Sequence, residues 1–215
     1  MKNIAIFGAG GFGREVKTII DKINEVTPNT YQFLGFYDDG VAKDTIINGF
    51  PVLGGVDELN NVDQSLQLVV SIGDPKIKQK IISKINNVHI AYPTIIHPKA
   101  SISADDVVIG KGCIVCEGTI ITCNIKIGDF VILNLMCTVG HDTQIKDYCA
   151  FMPSVNISGE VLINESVYVG TGAKIINLLE IGASTIVGAG AVVSKSLPAN
   201  CTAVGIPAKP IKFHE

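Results

Sequence analysis

The chain has 215 residues and a formal net charge of −3 at pH 7, so one or two domains are expected, and neither nucleic acid nor an anionic membrane surface is an expected partner. Hydrophobic residues make up 47% of the chain and mean hydropathy is +0.39, yet no apolar run approaches the ~18 residues of a membrane span, so no membrane insertion is expected. The segment 1–7 lacks the apolar core of a secretory signal and runs directly into glycines, which makes a cytoplasmic location the default.

Residues 2–7 read as a buried strand, followed by Gly8-Ala9-Gly10-Gly11-Phe12-Gly13 and the start of a helix at Arg14. Strand, glycine turn and helix N-terminus make a phosphate cradle, because the backbone can approach an anion closely and free N–H groups point at it. The simpler alternative is that Gly8, Gly10, Gly11 and Gly13 only shape a tight turn. Residues 31–37 read as a second strand ending at Asp38-Asp39-Gly40, where an acid recognises a ribose or base. A short strand at 52–53 and a firm one at 67–72 follow, the latter ending at Gly73-Asp74-Pro75; a helix at 76–85 and a strand at 88–90 complete the region. This is one βαβαβ half of a doubly wound sheet, enough for a mononucleotide but short for a dinucleotide, which disfavours a nicotinamide dehydrogenase. A boundary is expected near Tyr92-Pro93-Thr94, giving a Rossmann-like domain over 1–92 and a second domain over 93–215.

The second domain is organised by a period of six. From 109 to 193 every sixth residue is large and apolar: Ile109, Val115, Ile121, Ile127, Leu133 and onward to Val193. With this composition such a run arises by chance roughly once in ten thousand, so the period is a structural signal. It fits neither a helix nor an amphipathic strand, and it is the signature of a hexapeptide parallel β-helix. Three hexads make one triangular coil, so residues eighteen apart stack at about 4.8 Å. The residue after the anchor is often glycine (Gly110, Gly128, Gly140, Gly170, Gly182, Gly188), read as turning a corner at an unusual φ. The fourth after it is often small and read as inward-facing, as at Cys113, Thr119, Cys137, Thr143 and Cys149. Ile96 and Ile102 are one residue out of register and read as an imperfect first coil, while the segment after Val193 is expected to cap the open end.

Cys113-x-x-Cys116 invites a zinc reading. The register puts Cys113 inside and Cys116 outside, poor metal geometry, so the cysteines are read as packing residues and no metal is expected.

One polar segment stands out, Asn134 to Thr143. His141 lies two after the anchor Val139, so it faces solvent; the bland alternative is an ordinary turn residue. Adding eighteen gives Gly159, so a glycine N–H stacked on a histidine forms a candidate base and oxyanion donor for acyl transfer. Asp142 is placed to orient the imidazole.

The whole chain resembles the NeuD/PglD group of sugar acyltransferases. The resemblance is carried by residues 8–13 with Arg14-Glu15-Val16, by Phe33-Leu34-Gly35-Phe36-Tyr37-Asp38-Asp39, Ser71-Ile72-Gly73-Asp74, Ile96-His97-Pro98-Lys99-Ala100, Asn134 with Val139-Gly140-His141-Asp142, and Gly205-Ile206-Pro207-Ala208-Lys209. It implies a homotrimer of left-handed β-helices with acetyl-CoA as donor and active sites between subunits. It implies His141 as general base, Asp142 as its polarising partner, Asn134 in the acceptor pocket and Gly159 N–H on the thioester carbonyl. The glycine loop, Asp38, Asp39 and Gly73 would hold the nucleotide of the substrate; Thr171, Gly172, Gly188, Ala189 and Gly190 would line the pantetheine groove, with Lys195 and Lys209 on the CoA phosphates. Many relatives carry a second histidine nine positions after the base, where this chain has Ala150. His97 is read as a boundary residue. The expected reaction is N-acetylation of a UDP- or GDP-linked 4-amino-4,6-dideoxy sugar for a surface glycan, by direct attack, since no cysteine stands as a nucleophile beside His141. Alternatives are O-acetylation of sialic acid or serine on the same fold, and a non-catalytic trimeric nucleotide-binding scaffold.

Overall fold

In the N-terminal region, short apolar runs separated by glycine turns fold into strands buried on both faces, as parallel sheets covered by helices require. The computed structural model describes residues 1–214 and divides into two compact units, Met1–Pro98 and a second beginning at Lys99. The first contains β1 (Lys2–Phe7), α1 (Gly11–Val26), β2 (Tyr31–Tyr37), a hairpin of β3 (Ile46–Ile47) and β4 (Phe50–Pro51), α2 (Val56–Asn60), β5 (Leu66–Val70), α3 (Pro75–Lys84) and β6 (Ile90–Ala91). Its sheet has the order β2-β1-β5-β6, all parallel. The chain leaves β1 for β2 on one side and returns to β5 on the other, so a topological switch point lies between β1 and β5.

The ends of several elements differ from expectation: the short strand expected at 52–53 lies at Phe50–Pro51, with Val52 only bridging to Phe36. β5 stops at Val70 because Ser71 turns its hydroxyl back to donate to the Phe7 carbonyl (2.9 Å) and the Gly8 carbonyl (3.1 Å). The last strand begins at Ile90 rather than at 88: Ile90 N–H closes a turn onto the Asn87 carbonyl at 3.2 Å, which leaves Val88 90% exposed. Helix α1 starts at Gly11, so Gly13 lies in its first turn. A Cβ on Gly13 would come within 1.8 Å of the Gly8 carbonyl oxygen; only glycine lets helix and strand approach this closely.

The second unit is a left-handed parallel β-helix of about six turns. Its sides are stacked two- and three-residue strands in parallel register, Ile114 on Ile132, Ile120 on Thr138 and Lys126 on Gln144. The eighteen-residue stack holds from Ile109 on Ile127 to Ile175 on Val193, while Ile102 pairs with Ile121, nineteen away, which is the slip of the first coil. Every anchor from Val115 to Val193 is buried, 4% exposed at most.

The post-anchor glycines serve a different purpose from the one expected. None of Gly110, Gly128, Gly140, Gly170, Gly182 and Gly188 has positive φ. The corner is turned two residues later, at Asn124, Phe130, Met136, Asp142, Tyr148, Ser154, Glu160 and their equivalents, with φ of 51–72°. The glycines are required by space. A Cβ on Gly140 would meet Gly159 N at 2.6 Å, and one on Gly170 would meet Ala189 N at 2.5 Å. At these two glycines the coil lies against the backbone of the next with no room for a methyl group.

Cys113, Cys137 and Cys149 are buried in the small inward slots, but Cys116, expected outside, is also buried, 2% exposed. All six cysteines are free thiols, and among the described residues no group of three or more His, Cys, Asp or Glu side chains is arranged to hold a metal ion. Burial, partly offset by hydrogen bonds from the Val155 and Asn134 backbone, pushes the Cys137 thiol up to about 11, far from the thiolate needed for reaction. Only Cys123 is more than slightly exposed, so alkylation of the folded chain at pH 8 should modify Cys123 and spare the other five, as read by peptide mass.

The C-terminal tail closes the solenoid on all three sides. Leu197 bridges to Ile181, Cys201–Val204 pairs with Ile186 and Val187, and Val192 exchanges hydrogen bonds with Gly205 and Ala208. The final strand, Lys209–Phe213, then folds back antiparallel on Cys201–Val204. Among the described residues no helix is long and apolar enough to cross a membrane.

Candidate active site

The corner that follows the strand Thr138–Val139 brings a titratable pair to the surface. Each corner of the solenoid needs one residue in the left-handed region; here it is Asp142, φ 58°, and one coil below it is Asn124, φ 57°. Asn and Asp are among the few side chains that enter that region readily. The turn folds the Asp142 carboxylate back onto its neighbour, with His141 Nδ1 to Asp142 Oδ2 at 2.8 Å, while Asn124 Nδ2 donates to Asp142 Oδ1 at 3.0 Å. The hydrogen bond from His141, and then that from Asn124, hold the Asp142 carboxyl below the usual carboxylate range, so it is ionised at neutral pH. A carboxylate facing Nδ1 places the proton there and leaves the Nε2 lone pair free. The His141 and Asp142 side chains are 56% and 48% exposed, within reach of a ligand.

Gly159 lies against the ring. A Cβ there would come within 2.5 Å of both Cε1 and Nε2 of His141, so the imidazole occupies the space a side chain would take. Glu160 N–H donates to the His141 carbonyl at 2.8 Å, and Leu178 N–H donates to the Gly159 carbonyl at 3.2 Å. Gly159 N–H itself has no acceptor among the described residues, so it is available as a donor beside Nε2.

Asn134, Thr171, Gly172, Gly188, Ala189 and Gly190 lie on another corner. Asn134 follows Ile132–Leu133, is 6% exposed, and its Oδ1 accepts from Leu135 N–H at 2.7 Å; no hydrogen bond joins it to His141. Two coils on, the same corner carries Thr171 and Gly172, and the next coil carries Gly188, Ala189 and Gly190. Gly172 and Gly190, φ 72° and 67°, have nothing within 4 Å of where a Cβ would stand, forming a track free of side chains. Gly188 differs, because a Cβ there would strike Val204 at 2.7 Å. Lys195 and Lys209 are exposed; Lys195 follows Val193, three coils on from Val139, and so stands on the His141 corner and not on that of the glycine track.

Two features escaped the sequence reading. One is Asn124. The other is a polar ladder on the side between the two corners: Asn156 Nδ2 donates to Thr138 Oγ1 at 2.9 Å, and Lys174 Nζ donates to Asn156 Oδ1 and to the Ser154 carbonyl, the latter at 3.1 Å. Both follow from the eighteen-residue step, which links 124 to 142 and 138 to 156 to 174.

In the first unit, Gly8 (φ 108°), Asp38 and Ser71 stand at the carboxyl ends of β1, β2 and β5, with Gly73 just beyond. Asp38 does not stand free: Oδ2 accepts from Ala9 N–H and Oδ1 from Gly40 N–H, both at 2.8 Å. It pins the glycine loop. Asp39 Oδ1 accepts from Val56 N–H at 2.8 Å and so anchors the start of α2. Gly10 and Gly11 are uncrowded and α1 has no side-chain cap, leaving its first N–H groups open to an anion. A cleft of about 280 Å³ is lined by Asp38, Asp39, Lys43, Gly55, Asp57 and Glu58.

Known proteins with this architecture carry matching chemistry. Residues 3–85 match the PglD N-terminal domain. The chain is 36% identical over 217 residues to the GDP-perosamine N-acetyltransferase of Escherichia coli O157:H7, covering 99% of this chain and 97% of that one. Among solved structures it is similar to the H141N mutant of perosamine N-acetyltransferase from Caulobacter crescentus in complex with CoA and GDP-perosamine, at 30% identity and TM-score 0.88 over 99% of this chain and 98% of that one. It is also similar to the acetyltransferase domain of PglB from Neisseria gonorrhoeae FA1090 in complex with acetyl coenzyme A, at 30% identity and TM-score 0.86 over 98% and 99%. The chain belongs to the PglD-type family of hexapeptide-repeat sugar acetyltransferases.

Proposed function

We propose that this acetyltransferase moves an acetyl group from acetyl-CoA to the amino group of a GDP- or UDP-linked 4-amino-4,6-dideoxy sugar. The observation that carries the reading is the His141 imidazole, oriented by Asp142 through Nδ1 and lying on Gly159 with Nε2 free. The acceptor nitrogen attacks the thioester carbon and forms the C–N bond while Nε2 takes its proton. The developing oxyanion lies on Gly159 N–H. Collapse breaks the C–S bond, and the departing thiolate of CoA takes up the proton. The Caulobacter relative, with CoA and GDP-perosamine bound, was studied with asparagine in place of a histidine of the same number, which supports the assignment.

Gly10, Gly11 and Gly13 at the start of α1 would receive the diphosphate, with Asp38 holding the loop in shape; Gly8 and Gly73 shape the same edge, and Asp39 borders the cleft for the base. The Gly172–Gly190 track, with Thr171, Gly188 and Ala189, would take the pantetheine arm, and Lys195 and Lys209 the CoA phosphates. Asn134 and this track share one corner while His141 and Gly159 occupy another, so a pocket containing both is completed by a second copy; we assign the chain to a homotrimer on that ground. Six free thiols suit a reducing cytoplasm.

The test is release of CoA thiol from acetyl-CoA with GDP-, UDP-, dTDP- and CMP-linked amino sugars, beside serine and sialic acid. Turnover with a GDP- or UDP-linked amine is expected, and that ligand should stabilise the chain by about 3 kcal/mol at a hundredfold excess over Kd. Turnover confined to hydroxyl acceptors would overturn the reading.

A further inference from the structure

We infer that Asn124 is a positioning residue of the active site, holding the Asp142 carboxylate so that it fixes the His141 imidazole in the Nδ1–H form with Nε2 toward Gly159. The inference rests on the reading of His141 as the base.

His141 and Asp142 are adjacent in sequence, and adjacent side chains in extended chain point apart. They meet here only because Asp142 takes the left-handed conformation. Even so, the pair is about half exposed, and a hydrogen bond between exposed side chains is weak, since water competes and both side chains lose rotamer freedom. A carboxylate held through one oxygen can still swing about its own bonds and release the ring. The Asn124 amide, though exposed itself, restricts that freedom by adding a second tie. Its Nδ2 donates to Oδ1 at 3.0 Å while Oδ2 accepts from His141 Nδ1 at 2.8 Å, so the carboxylate is tied at both oxygens.

The solenoid itself places Asn124. Corner residues stack every eighteen, Asp142 N–H donates to the Cys123 carbonyl at 3.1 Å, and Asn124 therefore lies directly below Asp142. Asn124 is held in turn, its N–H donating to the Asp105 carbonyl at 2.9 Å. The fold needs a residue tolerant of positive φ at this corner on both coils, with φ 57° and 58°. Of the side chains that tolerate it, aspartate cannot donate and glycine offers nothing. Asparagine satisfies both the backbone and the carboxylate above it. It touches neither acceptor nor acetyl group in the proposed chemistry and acts only through Asp142.

Two variants test this in the full chain. Asn124→Gly keeps the backbone conformation and removes the donor; Asn124→Asp keeps size and conformation but turns the donor into a second carboxylate. The chain has four histidines, so the ring nitrogens of His141 can be assigned by nitrogen-15 NMR with His141→Asn as the blank. In both variants the Nδ1–H signature of His141 should give way to a mixture of tautomers, with kcat down about tenfold and KM for acetyl-CoA and acceptor within twofold. Unchanged tautomer signals and kcat within twofold of the parent, in variants whose melting is unaltered, would overturn the inference. If Asn124→Gly melts early, Asn124→Asp decides by the same two signals. An altered tautomer with undiminished turnover would sustain the positioning role and overturn the base; loss of turnover in His141→Asn with an unaltered tautomer in both Asn124 variants would do the reverse.

Discussion

Replacing His141 by alanine should reduce kcat by roughly 10²–10⁴, the usual contribution of a positioned general base, while the fold and the affinity for CoA persist. The imidazole is 56% exposed and belongs to no inward slot, so its removal opens no cavity and the melting temperature should move little. The carboxylate of Asp142 keeps its bond from Asn124 and is left in water, not buried without a partner. The proposed CoA groove lies along Gly172 and Gly190 on a different corner, with no side chain near, so donor binding does not depend on the ring. The residual rate would come from Gly159 N–H and from holding donor and acceptor together. His141→Ala retaining more than a fifth of the parental kcat would remove the mechanism; lost activity together with lost CoA binding would mean that the ring supports the site and does not perform the proton transfer. Steady-state kinetics and CoA titration of the same preparation separate these results.

What could be read in the chain before its structure depended on whether a residue's reason for being there is visible along the sequence. The anchors are: a period of six needs only one dimension, and stepping by eighteen from His141 arrives at Gly159, which the structure places on the ring. The post-anchor glycines are visible but ambiguous, because glycine serves an unusual φ and a close approach equally well. Here the requirement was Gly159 N at 2.6 Å from a Cβ on Gly140, an atom nineteen residues away. The true corner positions carry Phe130, Met136, Tyr148 and Leu178 beside the expected Asn, Asp and Gly. Stacking against neighbouring coils supports these side chains at positive φ, as where Phe130 and Tyr148 lie 5.4 Å apart and nearly parallel. Composition does not reveal that. Asp38 was legible as an acid at a strand end, yet its two oxygens are occupied by Ala9 and Gly40, a fact set by loop geometry. Asn124 was within reach of the same arithmetic that found Gly159, applied downward from Asp142.

Gly159→Ala should cost about 10² in kcat while leaving stability nearly intact, and the contrast with Gly140→Ala shows why. A methyl group at 159 would lie 2.5 Å from Cε1 and Nε2 of His141, more than 1 Å inside ordinary carbon contact. The obstructing atoms are the far end of an exposed side chain, and Gly159 does not have positive φ, so the ring swings aside and the backbone is untroubled. A displacement of about 1 Å is enough to lose two orders of magnitude when a base must meet a proton in flight. It also pulls Nδ1 from the carboxylate at 2.8 Å, undoing the orientation of Nε2. At Gly140 the methyl group would instead meet Gly159 N and Ser158 C at 2.6 Å, backbone atoms that cannot turn away. That variant should lose about 1–3 kcal/mol, the range for overpacking a close-fitted interior, and show it in melting. Equal losses of stability in the two variants would mean that Gly159 is glycine for packing alone. Parental turnover in Gly159→Ala would mean that the ring does not work from where it lies. With activity lost at 159 and stability lost at 140, adjacent coils of one solenoid would separate the two reasons for placing glycine at a corner.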